Sequence, residues 1–136
     1  MEKEFVNYNQ ALKLKELGFD EPCFGFYDGK GDTTLYFNNK RDASGDFEPF
    51  IKNQRLSWFG APTFSQAFRW FRKKYKLSTS IVTHNIDYYE WHIFRDGFSL
   101  INSSGSLYNA YEEAELECLI KLIKIVKSYG KETDPS

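Results

Sequence analysis

The sequence predicts an α+β fold: a mainly antiparallel sheet of about four to five strands packed by three helices, in the order α-β-β-(β)-α-β-β-α. Three observations support this class. Residues 108–130 have the apolar periodicity of a long helix, residues 63–76 have that of a shorter one, and two ring-rich stretches each have the pattern of a β-hairpin. A chain of 136 residues with 18% aromatic residues can bury a core built largely from rings. We therefore expect one domain over residues 1–130 and a frayed tail at 131–136.

The last helix, predicted over residues 108–130, is the best-defined element. At 100° per residue, one half of its surface carries eight apolar or weakly polar side chains: Ala114, Cys118, Leu119, Leu122, Ile123, Ile125, Val126 and Tyr129. Asn109 is expected to cap its start, and Gly130 to end it, because glycine adopts the left-handed conformation without a Cβ penalty. Each large apolar side chain contributes about 1.5–3 kcal/mol when buried. This helix is therefore predicted to lie against the sheet.

Two shorter helices precede it. The first is predicted over residues 7–17, with Asn7 or Asn9 as its cap, Gly18 as its end, and Phe19 folded back onto it. The second, over residues 63–76, opens with a capping box formed by Thr63 and Gln66. Its apolar stripe is Phe64, Ala67, Phe68, Phe71 and Tyr75.

The remaining ring-rich segments are predicted to be strands because they are short, apolar and bounded by turn residues. These are 23–27 and 33–37 in a hairpin around the turn 28–32, 80–84 and 88–95 in a hairpin around 85–87, and 55–59 as an extra strand before a break at 60–62. Residues 101–106 are expected to form a loop of small residues before the last helix. The burial of strand 88–95 stays open at this point, since both of its faces carry rings.

Composition excludes several classes of protein. Eighteen basic and nineteen acidic residues give a net charge of −1, so there is no overall attraction to nucleic acid or to an anionic membrane. Cys23 and Cys118 lack metal-ligand spacing, and unpaired thiols are typical of a reducing compartment. The chain has neither 18 consecutive apolar residues nor an apolar signal-peptide core. We expect a cytoplasmic protein with no cofactor, no metal site and no membrane contact.

Two segments together resemble a known family. They are 61–75, APTFSQAFRWFRKKY, and 108–123, YNAYEEAELECLIKLI. This combination resembles small uncharacterised proteins encoded by phages, prophages and mobile elements of gut bacteria, and residues 11–19, ALKLKELGF, are similar to the start of those proteins. Residues 38–57 have no counterpart. The resemblance implies a stand-alone accessory domain of bacterial or phage origin, and it supplies no activity and no catalytic residue.

Protein–protein interaction is the function that the sequence favours. Aromatic residues exceed what an aliphatic core would need, and tryptophan, tyrosine and arginine carry much of the energy of protein contacts. Trp58, Phe59 and Trp70 are the predicted anchors. The partner is either another protein, which the sequence does not identify, or a second copy that binds through the aromatic hairpins or a free sheet edge.

Nucleic-acid binding is the alternative. Arg69, Arg72 and Lys76 form a row on the second helix, with Lys73 behind it, and Trp70 lies on the opposite flank. Such a row could follow phosphates while the tryptophan stacks on a base. The competing interpretation is that these side chains only solvate a helix whose other face is buried, and the net charge favours it.

A catalytic role has the least support. Glu90 and His92 share one face of a strand at a spacing suited to a water-bridged acid–base pair, but no nucleophile accompanies them in the sequence. The acidic glycine loop 28–32 has Lys30 where a calcium ligand would stand, which favours a simple turn. No catalytic residue is assigned, and an enzyme without a recognisable local motif is the further alternative.

Overall fold

The computed structural model describes residues 2–37, 58–84, 88–103 and 106–133. In these ranges the chain forms three α-helices and six strands: α1 (Tyr8–Glu16), β1 (Gly25–Tyr27), β2 (Tyr36–Phe37), β3 (Phe59–Ala61), α2 (Phe64–Tyr75), β4 (Leu77–His84), β5 (Tyr88–Arg95), β6 (Phe98–Asn102) and α3 (Tyr111–Thr133). A 3-10 turn, Glu2–Glu4, precedes them. Among the described helices, including the 23-residue α3, none combines the length and the hydrophobicity that a membrane-spanning helix requires.

The α+β class and the antiparallel pairing are confirmed, but the single sheet of four to five strands is not. The strands form two antiparallel sheets of three strands each, ordered β2-β1-β3 and β4-β5-β6. β3 pairs with β1 and leads directly into α2, so the described strands before α2 pair with one another, and so do those after it. The chain divides into two compact units, Met1–Thr63 and Phe64–Ser136. The expectation of one domain over 1–130 stays a prediction.

In the first unit, α1 lies on β3 and ends as predicted. Asn7 caps the helix, since its Oδ1 accepts a hydrogen bond from the Gln10 N–H at 3.0 Å. At the other end Gly18 has a φ of 102°, and the Phe19 N–H donates to the Leu14 carbonyl at 2.9 Å. This is the Schellman ending expected from a glycine followed by an apolar residue, and Leu14 and Phe19 are both buried.

The central strand of this first sheet is β1, which pairs with both β2 and β3. The first hairpin is therefore confirmed, with shorter strands than expected. The predicted break at 60–62 is wrong in part, because Gly60 and Ala61 belong to β3 and Gly60 lies opposite Phe26. Residues 55–57 of the predicted extra strand lie outside the described residues.

In the second unit, the strands form a meander, with α3 packed on β4 and β5 and α2 packed on β4 and α3. The buried side of α3 is the one predicted: Ala114, Cys118, Leu119, Leu122, Ile123 and Val126 are buried, while Ile125 and Tyr129 are half-buried. On β5, Trp91 and Ile93 are buried on the face that meets α3. The α2 stripe is likewise buried except for Tyr75, which is half-buried.

Both predicted ends of the last helix are wrong. Tyr108 exchanges backbone hydrogen bonds with Tyr89 at 2.8 and 2.9 Å, so it cannot belong to the helix. The Ala114 N–H donates to the Ala110 carbonyl at 3.2 Å, which places the cap at residue 110 and not at Asn109. At the other end α3 runs through Gly130 to Thr133. A glycine inside a helix costs only about 1 kcal/mol relative to alanine, so it does not end a helix whose neighbours favour one.

Candidate interaction edge

The last strand of the second sheet is its most exposed element. β6 pairs with β5 on one side, and among the described residues no strand pairs with its other side. Phe98 is 78% exposed, the highest value among the large apolar side chains of the described residues, and Leu100 is 44% exposed. We call residues 98–102 the β6 edge.

A two-residue turn places this edge. Asp96 and Gly97 have φ values of 52° and 82° and join Arg95 to Phe98, its partner in the register. Positive φ at both central residues is the requirement of the type I′ turn, which Asp-Gly satisfies and which matches the twist of paired strands. Asp-Gly is therefore a hairpin signal. The predicted strand ends at residue 95 and β6 was not predicted, although this dipeptide is a local signal for it.

The segment that follows keeps the edge against β5. The Ser103 N–H donates to the Trp91 carbonyl at 3.0 Å, and the Trp91 N–H donates to Ser103 Oγ at 2.9 Å. The Tyr89–Tyr108 pair described above attaches the chain again farther along. The predicted loop at 101–106 is thus partly strand, and residues 104–105 lie outside the described residues. Leu107, which directly precedes Tyr108 in the chain, is 43% exposed.

The β6 edge lacks most of the features that usually protect sheet edges. Exposed edges commonly carry lysine, proline or inward-pointing charges that prevent another strand from pairing. Residues 97–111 contain no charged residue and no proline. One protective feature is present, a register shift between Ile93 and Phe94 that leaves Leu100 as an extra residue in β6.

The other described edges are less suited to binding a strand. β2 is only two residues long. β4 is longer and also uncharged over residues 77–83, but Leu77 is buried and residues 78–81 are half-buried. β3 is three residues long, with Phe59 and Ala61 buried. Val82 on β4 is 39% exposed, so among the described strands β6 is the edge with the most exposed large apolar side chains.

Two of the three predicted anchors are core residues. Phe59 is buried, with its ring 5.4 Å from that of Tyr8, and Trp70 is buried with its ring 5.1 Å from that of Phe71. Trp58 is half-buried and stacks on Phe26 at 4.5 Å. A contact residue has to be exposed before its partner arrives, so these three rings do not form an exposed cluster.

The predicted basic residues are exposed: Arg69, Arg72 and Lys73 lie on α2, and Lys76, predicted to belong to the same helix, directly follows it. Trp70, however, cannot stack on a base, because it is buried. The Lys74 ammonium lies 5.1 Å from the centre of the Trp70 ring and covers it. What remains of the predicted nucleic-acid site is a row of cations without a stacking platform.

The Glu90–His92 pair is a direct contact and not a water-bridged one. His92 Nε2 lies 2.8 Å from Glu90 Oε1, on the sheet face opposite to α3, and the His92 ring stacks on Phe94 at 6.1 Å. Ser80 lies opposite His92 in the strand register. Among the described residues, no group of three or more His, Cys, Asp or Glu side chains could hold a metal ion. The structure thus gives this pair a stabilising contact within the sheet.

The glycine loop between β1 and β2 is a hydrogen-bonded turn. The Lys30 N–H donates to Asp28 Oδ1 at 2.9 Å, and the Thr34 N–H donates to Asp32 Oδ1 at 2.9 Å. The Tyr36 hydroxyl donates to the second Asp32 oxygen at 2.7 Å. These hydrogen bonds from Thr34 and Tyr36 keep the pKa of Asp32 below its usual value. Both carboxylates are used by the turn, which supports the simple-turn interpretation.

An open cleft lies beside this turn in the first unit. Its volume is about 430 Å³, and its lining is Phe5, Asn7, Tyr27, Thr33, Thr34 and Leu35. The Tyr27 hydroxyl donates to the Val6 carbonyl at 2.8 Å. No lining side chain carries a charge at neutral pH, so the cleft has no strong electrostatic preference for a ligand.

Two titratable groups on α3 are perturbed. Burial, with a smaller effect of the neighbouring Glu112 carboxylate, raises the pKa of Glu115 to about 6. Burial, with a smaller effect of Glu115, raises the pKa of the Cys118 thiol to about 12. A thiol with so high a pKa is a poor nucleophile, so Cys118 acts as a small apolar core residue.

Comparison of the chain with family models, with curated proteins and with solved structures finds no match. No relative therefore supplies an activity or a site. Among the described residues, the β6 edge is the surface that combines an unpaired side of a strand, no charged residue and exposed apolar side chains.

Proposed function

We propose that this chain is a non-catalytic protein–protein interaction domain that binds a partner strand along the β6 edge. The observation that carries the proposal is the exposure of Phe98 and Leu100 on an open, uncharged strand. Strand addition of this kind takes its affinity from backbone hydrogen bonds and its specificity from alternate side chains. The resemblance of residues 61–75 and 108–123 further supports a stand-alone accessory protein of a phage or mobile element.

The turn before β6 and the hydrogen bonds after it support the same proposal. The Asp96–Gly97 turn and the hydrogen bonds of Ser103 hold β6 in its extended conformation before any partner arrives. A partner strand then meets a preformed edge, which lowers the conformational entropy lost on binding. Large exposed apolar side chains on such an edge are typical of contact surfaces.

The test is selection of peptides from a displayed library of random octapeptides. We expect the wild-type chain to select extended, apolar peptides, and the Phe98→Lys variant to bind them at least tenfold more weakly, because a lysine on the edge opposes strand addition. Phe24→Lys is the matched control, since Phe24 is also an exposed ring, at 53%, and lies in the first unit. Selected peptides that bind Phe98→Lys as tightly as the wild type would contradict the proposal.

The second candidate function is phosphate contact by α2. Arg69, Arg72, Lys73 and Lys76 are all exposed, and no acidic residue occurs between residues 64 and 86. The local potential of this helix is therefore positive although the net charge of the chain is −1. Because Trp70 is buried, such binding would depend on backbone phosphates and would be strongly weakened by salt.

A further inference from the structure

We propose that the strand bound by the β6 edge is the β6 of a second copy of this chain, in an antiparallel pairing around a two-fold axis near Leu100. This inference rests on the proposed function and names its partner. Strand β6 has five residues, Phe98–Asn102, and Leu100, the central one, is also the extra residue of the bulge and has no partner in the β5 register. A two-fold axis there places the same surface of each copy against the other, which is the arrangement of a closed dimer.

The absence of charge on the β6 edge permits pairing with a second copy and disfavours a charged partner. Two identical edges can meet only if they bring no like charges together, because directly opposed like charges destabilise a strand pair. Residues 97–111 are uncharged, and the net charge of the whole chain is only −1. Neither local nor long-range repulsion therefore opposes self-association. An edge that selected a charged peptide would be expected to carry the opposite charge, and this one carries none.

The dimer would also pair the open side of β6 in the second unit. The second sheet has three strands among the described residues, and joining two copies at β6 produces a continuous sheet of six, which is close to the usual size. Phe98, which is 78% exposed in the single chain, would become covered at the new strand pair. An unpaired strand edge can pair with further chains and lead to aggregation, whereas in a closed dimer both edges are already paired.

The experiment combines sedimentation with cysteine cross-linking in the full chain. We expect wild-type chain to sediment at twice its mass of 16.0 kDa at high concentration, and Phe98→Lys to dissociate at least tenfold more readily. Leu100→Cys should form a disulfide with its own copy under mild oxidation, because a residue beside a two-fold axis meets itself. Ser128→Cys, on an exposed position of α3, is the matched control and should not. Cys23 and Cys118 are buried and contribute little background.

The outcomes separate this inference from the proposed function. A chain that stays monomeric at every concentration, with no more disulfide in Leu100→Cys than in Ser128→Cys, overturns the dimer. If octapeptides still bind the wild type but not Phe98→Lys in that case, the β6 edge binds strands of another protein and the proposed function stands. If neither self-association nor peptide binding depends on Phe98, both proposals are wrong. A circular dichroism spectrum unchanged by Phe98→Lys shows that the variant folds.

Discussion

A Cβ atom added to Gly60 would lie 2.8 Å from the Cys23 sulfur, closer than real Cβ contacts allow. Cys23 is buried beside β3, and its Sγ–H donates to the Glu21 carbonyl at 3.3 Å. The absence of a side chain at residue 60 is therefore what lets the segment before β1 pack against β3. Gly60 is needed for close approach of two segments and not for an unusual backbone angle.

Replacing Gly60 by alanine should therefore destabilise the first unit. Overpacking of a buried site typically costs about 1–3 kcal/mol, and we expect Gly60→Ala to lower the free energy of unfolding in urea by an amount in that range. In the double variant with Cys23→Ala, the sulfur is gone and the nearest remaining atom, the Cβ of residue 23, lies at 3.4 Å. The two substitutions should be non-additive, so that Gly60→Ala costs less in the Cys23→Ala background. If the two losses in free energy of unfolding are additive, the contact between residue 60 and the Cys23 sulfur does not limit the packing.

Lys76 provides a stabilising substitution. It follows the last residue of α2 with a φ of 60°, a left-handed conformation that glycine adopts without steric cost. The left-handed conformation costs a non-glycine residue about 1–2 kcal/mol, and the larger conformational entropy that glycine loses on folding offsets about 0.5–1 kcal/mol of this. Lys76→Gly should therefore raise the free energy of unfolding by about 0.5–1 kcal/mol, as measured by urea denaturation. Lys76→Ala is the control, because it removes the same charge but keeps the Cβ, and it should not stabilise the chain. Equal stabilisation by both would indicate that charge, and not backbone strain, is relieved.

The helices were largely predictable because their signals are local. The end of α1 depends on two neighbouring residues, Gly18 and Phe19. The buried side of α3 follows from the helical spacing of its apolar residues, which recurs over several turns of a helix of 23 residues. Pairing between strands is not local. Nothing in the residues around β3 shows that it pairs with β1 and not with strands beyond α2, so the division into two sheets could not be inferred.

The candidate site was less predictable than the fold. A ring in the sequence can be buried or exposed, and the buried Phe59 and Trp70 cannot be distinguished from the exposed Phe98 by residue type alone. The β6 edge had one local signal, the Asp96–Gly97 dipeptide, and it would have located the strand. That this strand lies at the open side of a sheet depends on tertiary structure.

The phosphate alternative makes a separate prediction. If α2 binds nucleic acid, the wild-type chain should retard single- or double-stranded DNA or RNA in a low-salt gel, and the affinity should fall steeply with salt. The variant Arg69→Glu, Arg72→Glu and Lys73→Glu should abolish that retardation. Lys121→Glu, on α3, is the control for a change of charge elsewhere. A wild-type chain that retards none of these nucleic acids at low salt excludes this function.

Glu115 should make the stability of the chain depend on pH. Its pKa is raised to about 6 in the folded chain from 4.5, mainly by burial and also by Glu112. A raised carboxyl pKa means that the folded state holds this proton more tightly than the unfolded state, so the favourable contribution is complete below about pH 4.5. It is lost as the pH rises through 6. Because the Glu115 side chain is only partly buried, we expect the free energy of unfolding to fall by an amount on the order of 1 kcal/mol over this pH range.

The comparison that isolates this contribution is between wild type and Glu115→Gln, with the free energy of unfolding measured in urea from about pH 4 to pH 8. Glutamine stays uncharged, so the variant should gain stability relative to the wild type as the pH rises through 6, and the difference should be constant above about pH 7. Glu112→Gln should shift the wild-type transition to lower pH, because it removes the neighbouring negative charge. A stability difference that does not change with pH would show that the Glu115 carboxylate is well solvated on α3.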